Sequence, residues 1–183
     1  MKTKVETVSK PTLATVWLDG CSGCHMSFLD IDDRLLALAE KADLVYSPLV
    51  DRKEFPESVD ITLVEGAVSN VEDLAKIKKV RAHTRLLVSL GDCAVTSNIP
   101  GMRNPFGVKA VLDRAFVDNV TTPAPAPSEV IPKLLDRVRP IHEVVPVDVF
   151  LPGCPPSADV IYQALEDLIA GRTPGEGVQR FGA

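Results

Sequence analysis

The chain has 183 residues, 45% of them hydrophobic and 25% charged, with a formal net charge of −5. A chain of this length suits one domain and buries about 70% of its unfolded surface, so its core needs no crosslinks. The negative charge excludes a general nucleic-acid or acidic-membrane binder, and no apolar run reaches the roughly 18 residues that span a bilayer.

Residues 1–10 are polar, with no apolar signal core and no twin-arginine pair, so the expected compartment is the cytoplasm. Thr12–Leu18 (TLATVWL) reads as a buried strand between Pro11 and Asp19-Gly20. From Ser27 to Lys41, Phe28, Ile31, Leu35, Leu38 and Ala39 recur at helical spacing. Leu44–Val50 is a short second strand disturbed by Pro48, and Val59–Val64 a third. Asn70 is a good N-cap for a helix carrying Val71, Leu74 and Ile77. Leu86–Leu90 is a fourth strand that stops at Gly91-Asp92-Cys93. Pro105 opens a predicted helix to about Phe116. Thr121–Ser128 (TTPAPAPS) predicts an extended excursion, because so many prolines exclude regular helix and central strand. Ile131–Arg139 is expected as a short helix and Val147–Leu151 as a fifth strand. Ser157–Ala170 is an amphipathic helix closed by Gly171.

Strands alternating with helices imply an α/β fold: an open, parallel, five-stranded sheet with helices on both faces. The flavodoxin-like strand order 2-1-3-4-5 fits it. These elements fill one domain over residues 1–171, and residues 172–183 form a Gly-containing tail without periodicity.

The chain has four cysteines, and disulfides are disfavoured in the expected compartment, so they point to metal or redox chemistry. Ligands in open α/β sheets bind outside the carboxyl ends of the strands. Cys21 and Cys24 follow the first strand, Cys93 the fourth and Cys154 the fifth, so all of them should meet at one edge. Gly20, Gly23, Gly91 and Gly153 flank them, where glycine lets backbone approach a bulky cluster and aim N–H groups at its sulfurs. On spacing alone three readings stand: an iron–sulfur cluster, a structural zinc, or buried and redox-active thiols. Structural zinc more often uses paired C-x2-C knuckles, whereas here one pair accompanies two singletons.

The runs Leu18-Asp19-Gly20-Cys21-Ser22-Gly23-Cys24-His25, Val64-Glu65-Gly66-Ala67, Gly91-Asp92-Cys93 and Val147-Asp148-Val149-Phe150-Leu151-Pro152-Gly153-Cys154-Pro155-Pro156 resemble the small subunit of [NiFe] hydrogenases, in the family's order. The resemblance covers about Thr12 to Ala170. It implies a flavodoxin-like fold and one [4Fe–4S] cluster on Cys21, Cys24, Cys93 and Cys154, proximal to a Ni–Fe centre in a separate large subunit. A related quinone-reductase subunit of respiratory complex I shares the Gly-Cys-Pro-Pro ending but has adjacent cysteines in its first motif, whereas Ser22-Gly23 separates them here. The short form, with Cys24-His25-Met26-Ser27-Phe28-Leu29-Asp30, looks like the cytoplasmic, NAD-reducing hydrogenases. There a hydrogenase dimer is paired with an iron–sulfur/flavin diaphorase. The resemblance thus implies FMN and NAD on partner subunits, and neither nucleic acid nor membrane as a partner. The alternatives are a complex I-like iron–sulfur subunit and a structural zinc-binding adaptor.

Other residues have narrower readings. Glu65 ends the third strand on the cysteine edge, as a solvated carboxylate or, by the matching Glu-Gly motif, a group near the cluster and the large subunit. His25 follows a ligand and is a candidate for a cluster hydrogen bond or proton role against a surface or cap role. Trp17 is expected in the core. Asp30, Asp32 and Asp33 lack the Gly and distal Glu of a calcium loop and read as a solvated helix face. His83 and His142 are isolated. A flavin on this chain is disfavoured, because Asp19–Cys24 occupies the place of the flavodoxin phosphate loop.

Overall fold

A computed structural model describes residues 10–118, 120–122 and 124–174; the stretch 1–9 and most of the tail, 175–183, lie outside the described residues. Strands β1 (Thr12–Trp17), β2 (Asp43–Tyr46), β3 (Val59–Glu65), β5 (Thr84–Leu90) and β7 (Val149–Leu151) form one sheet. Its order is β2-β1-β3-β5-β7, with every neighbouring pair parallel. This is the expected flavodoxin-like order.

Both faces are covered. On one, α1 (Gly23–Leu29), α2 (Arg34–Lys41) and α7 (Ala158–Ile169) pack Phe28, Leu38, Ile161 and Leu165 against Leu13, Ile61, Leu63, Val88 and Leu151. On the other, α3 (Val71–Ala82) brings Ile77 and Val80 against Val16, Val64 and Leu87. Buried parallel strands have no polar face, which is why β3 reads as a nearly continuous apolar run. Among the described residues no helix is long and apolar enough to cross a membrane.

Local chemistry sets several boundaries as expected. The Asn70 side chain accepts from the N–H groups of Glu72 and Asp73, while Asp73 accepts from the Asn70 backbone, so the start of α3 is a reciprocal capping box. Ser157 caps α7 through its hydroxyl, and Gly171, at φ 72, follows its end.

Elsewhere tertiary structure overrides the sequence pattern. The helix expected over 27–41 is two helices, because Asp32 turns the chain at φ 60. Asp30, Asp32 and Asp33 therefore occupy an exposed turn rather than a helix face. The second strand stops at Tyr46, before Pro48. Pro105 does not open a helix: Gly107, at φ 78, precedes α6 (Val108–Asp113), which runs on into one π-helical turn over Arg114–Asp118. Residues 120–122 and 124–133 carry neither helix nor strand, in keeping with the expected excursion.

The helix expected over Ile131–Arg139 is instead strand β6 (Leu134–Arg139), antiparallel to β4 (Val68–Asn70). Side chains meet further backbone groups of this strand. Asn104 accepts from Val138 N at 2.8 Å and donates to Val138 O at 3.0 Å, and Arg103 donates to Leu135 O at 2.7 Å. With backbone partners supplied on both sides, the extended form wins over local helix preference.

Replacing Asn70 with Ala removes the acceptor for two helix N–H groups. The Asn70→Ala variant should be less stable by about 1 kcal/mol, read as a lower urea midpoint at unchanged slope.

Candidate metal centre

The carboxyl ends of β1, β3 and β5 are held side by side. Beyond β1, Leu18 N donates to Glu65 O at 2.9 Å, and Asp19 and Ala67 exchange backbone bonds of 3.1 and 2.7 Å. This pins the exit of β1 against the exit of β3 and launches residues 20–24 across the sheet edge. Cys21 lies exposed in the loop, and Cys24, one residue into α1, is buried.

Strand β5 ends at Leu90, and α4 (Gly91–Thr96), which carries Cys93, begins at the next residue. The exit of β7 lies beside it. Asp92 N donates to Gly153 O at 2.8 Å, and Gly153 N donates to Asp92 Oδ1 at 2.7 Å. Upstream, Asp148 Oδ2 accepts from Leu87 N at 2.7 Å and from Arg81 at 2.6 Å, which sets β7 alongside β5. Ser27 Oγ donates to Pro156 O at 2.5 Å and ties α1 to the segment after Cys154.

These ties bring Cys21, Cys93 and Cys154 around one cavity of about 260 Å³, whose other lining residues are Asp19, Gly20, Ile99 and Pro100. Cys24 lies close enough to feel the charges of Cys93, Cys21 and Cys154. Gly91 shows how tight the approach is. Its φ is +79, and a Cβ placed there would lie 2.2 Å from Cys24 Sγ. Among the described residues no three His, Cys, Asp or Glu side chains close on a single ion position. The donors are all soft thiols spread around a cavity, which fits a polynuclear iron–sulfur group better than one zinc.

Of the other flanking glycines, Gly23 makes room for a sulfur, and Gly20 and Gly153 make room for backbone. A Cβ on Gly23 would meet Cys21 Sγ at 3.2 Å, one on Gly20 the Gly66 backbone at 3.4 Å, and one on Gly153 the Pro156 backbone at 2.6 Å. The Gly153 N–H is taken by Asp92.

Burial pushes the Cys24 thiol well above its usual range; the Glu65 carboxylate adds to this, then the neighbouring thiols. Burial also raises Cys93, opposed by the Ile99 backbone N–H.

Glu65 is 2% exposed and His25 3%. A solvated Glu65 and a surface His25 are therefore both excluded. His25 N donates to Glu65 Oε2 at 2.8 Å, and the ring Nδ1 contacts the same oxygen. The ring Nε2 is buried without a hydrogen-bond partner among the described residues. Trp17 is not a core residue: it stands at the carboxyl edge, 43% exposed. His83 and His142 are not isolated either. His83 bonds the Glu57 carbonyl at 2.9 Å, and His142 meets the Phe150 ring edge-on at 5.7 Å. Sequence reasoning missed Asp92 and Asp148 as site-building residues; both lie within the motif runs, so their position was the available signal.

Two outcomes follow from this geometry. Gly91→Ala should displace the Cys24 thiol and weaken metal retention by about tenfold or more, while far-UV circular dichroism stays that of the folded chain. In metal-free protein at mildly alkaline pH, iodoacetamide should modify exposed Cys21 and Cys154 well before Cys24, because the thiolate is the reactive form; peptide mass mapping showing equal rates would contradict the raised Cys24 thiol.

Residues 21–168 match the family model described as "NADH ubiquinone oxidoreductase, 20 Kd subunit". The chain is 44% identical over 168 residues to the NAD-reducing hydrogenase HoxS subunit delta of Cupriavidus necator, covering 89% of this chain and 80% of that one. It is 39% identical to a subunit of the F420-non-reducing hydrogenase of Methanothermobacter thermautotrophicus, covering 88% of this chain but spanning only 54% of that relative. A crystal structure of an NAD+-reducing [NiFe]-hydrogenase in the H2-reduced state contains a chain with 44% identity and a TM-score of 0.88, covering 94% of this chain and 99% of that one. The chain therefore belongs to the NADH ubiquinone oxidoreductase 20 Kd subunit family, and within it to the small subunits of [NiFe] hydrogenases, most like the NAD-reducing type.

Proposed function

We propose that this chain is the electron-transfer subunit of a cytoplasmic, NAD-reducing hydrogenase and that Cys21, Cys24, Cys93 and Cys154 hold one [4Fe–4S] cluster. The observation that carries this reading is the convergence of three loops, after β1, β5 and β7, on one thiol-lined cavity. When bound, the cluster supplies one-electron capacity between a Ni–Fe centre on the large subunit and a flavin-containing diaphorase, so that the whole enzyme carries out H2 + NAD+ ⇌ NADH + H+. The Ni–Fe centre, FMN and NAD belong to partner subunits in this reading, and residues 1–171 act as a single iron–sulfur domain.

The chain's own residues do the positioning. The Asp92–Gly153 pair fixes the separation of the Cys93 and Cys154 loops, and the burial of Cys24 keeps water from one side of the site. Exposed Met26 and Ile99, at 57% and 63%, lie next to the thiols and support cover by a large subunit. The buried His25–Glu65 pair lies under the cysteine loop, where it serves as a candidate proton or electron path toward that interface.

The family model's description favours a complex I-like role as the second reading. The C-x2-C spacing of Cys21 and Cys24 supports the hydrogenase role instead.

Four thiol ligands and no spare cysteine should hold about four iron and about four acid-labile sulfide per chain. Metal and sulfide analysis of anaerobically purified protein tests this. About one zinc and no iron would replace the electron carrier with a structural zinc site.

A further inference from the structure

The segment after Cys93 has a backbone that its residue types do not favour. Ser97 has φ 69 and Asn98 φ 21, so two consecutive non-glycine residues sit at positive φ. Cβ crowding makes that region uncommon, and asparagine is among the few residues enriched there. The turn joins α4 to α5 (Asn98–Gly101) and is locked at both ends: Ser97 N donates to Cys93 O at 3.0 Å, and Gly101 N donates to Ser97 O at 2.8 Å. Ser97 is 4% exposed.

This turn brings a side-chain donor to a thiol on another loop. The Asn98 side-chain Nδ2 donates to Cys154 Sγ at 3.5 Å. Ile99 and Pro100 then line the same cavity. The N–H of Gly153, the residue before Cys154, is already taken by Asp92, and Pro155 and Pro156 after it have none. Asn98 thus supplies from a side chain what the Cys154 loop does not receive from that N–H.

We propose that Asn98 is a positioning residue for the iron–sulfur cluster, whose amide N–H on Cys154 Sγ raises the cluster's reduction potential. The inference rests on the four-cysteine cluster reading above. A donor on a thiolate sulfur draws off negative charge, so it stabilises the reduced, more negative state over the oxidised one. The residue type fits both demands of the position. Glycine would accept the backbone but offers no donor, and aspartate would set a like charge against the thiolate. The amide faces the sulfur with nitrogen because a thiolate only accepts.

The test uses the chain copurified with its large subunit, as wild type, Asn98→Gly and Asn98→Asp. Iron and sulfide analysis and the electron paramagnetic resonance signal of the reduced cluster establish loading, and a redox titration of that signal gives the midpoint. Asn98→Gly relieves the backbone while removing the donor, so it should load normally and shift the oxidised-to-reduced ratio at fixed potential by up to about tenfold toward oxidised, equivalent to about 59 mV for one electron. Asn98→Asp should shift it further in the same direction. Normally loaded variants with wild-type midpoints overturn the proposal. So does loss of the cluster from Asn98→Gly, which would make Asn98 a retention determinant. A wild-type complex without the iron–sulfur signal overturns the cluster reading itself, and this inference with it.

Discussion

Gly91 can carry no side chain without displacing Cys24 Sγ, which occupies the space where any other residue would place a Cβ. That one close approach ties together parts of the chain with no local reason to meet. It requires β1 and β5 to run parallel on either side of β3, so that both exits face one edge. It requires α1 to begin directly over the end of β5. And it requires Gly91 at positive φ, so that the chain turns from strand into α4 without a side chain in the way. The Asp92–Gly153 pair then extends the same arrangement to β7. The thiol cavity is therefore a property of strand order and loop exits, with little contribution from sequence proximity.

Beneath the cavity lies a second, polar layer. Glu65 ends β3 inside the protein, and its oxygen is held by the His25 backbone N–H and contacts the His25 ring. A carboxyl group so deeply buried persists only where its hydrogen-bonding capacity is met. The contact joins the cysteine loop to the centre of the sheet, so displacement of the loop would expose the need for that partner. Glu65 also acts on the thiols at a distance, adding to the rise of Cys24. Any metal group held by this thiol would have to overcome both burial and that charge to replace the proton on sulfur, which would link binding to proton release.

Among the described residues, three of the five non-glycine residues at positive φ lie near the thiols, and Asp32 and Val130 lie elsewhere. Ser22, Ser97 and Asn98 all hold positive φ within a few residues of a thiol. Such conformations persist when the surroundings over-determine them, and they recur at functional sites. Here the surroundings are visible: the helix that begins after Ser22, the Cys93 carbonyl over Ser97, and the thiol facing Asn98. The chain's own hydrogen bonds hold these turns: Met26 N donates to Ser22 O, and Ser97 is bonded at both its N–H and its carbonyl.

Much of the protein was legible in its sequence. Strand-length apolar runs alternating with amphipathic helices imply the parallel sheet, because buried strands need apolar residues on both faces and helices on only one. The cap at Asn70 and the stop at Gly171 follow from backbone groups that local chemistry must satisfy. The cysteines could be placed at one edge because all follow strand ends. What tertiary structure decided were the places where a distant partner outweighs a local preference. Leu134–Arg139 became a strand because β4, Arg103 and Asn104 meet its backbone. The chain from Ser27 to Lys41 broke at Asp32 despite an unbroken apolar pattern. Trp17 stayed partly exposed at the strand's end, and the Glu65 carboxyl went inside because His25 came to meet it. Periodicity records which face of an element is buried; it does not record which side chain, many residues away, will satisfy a polar group.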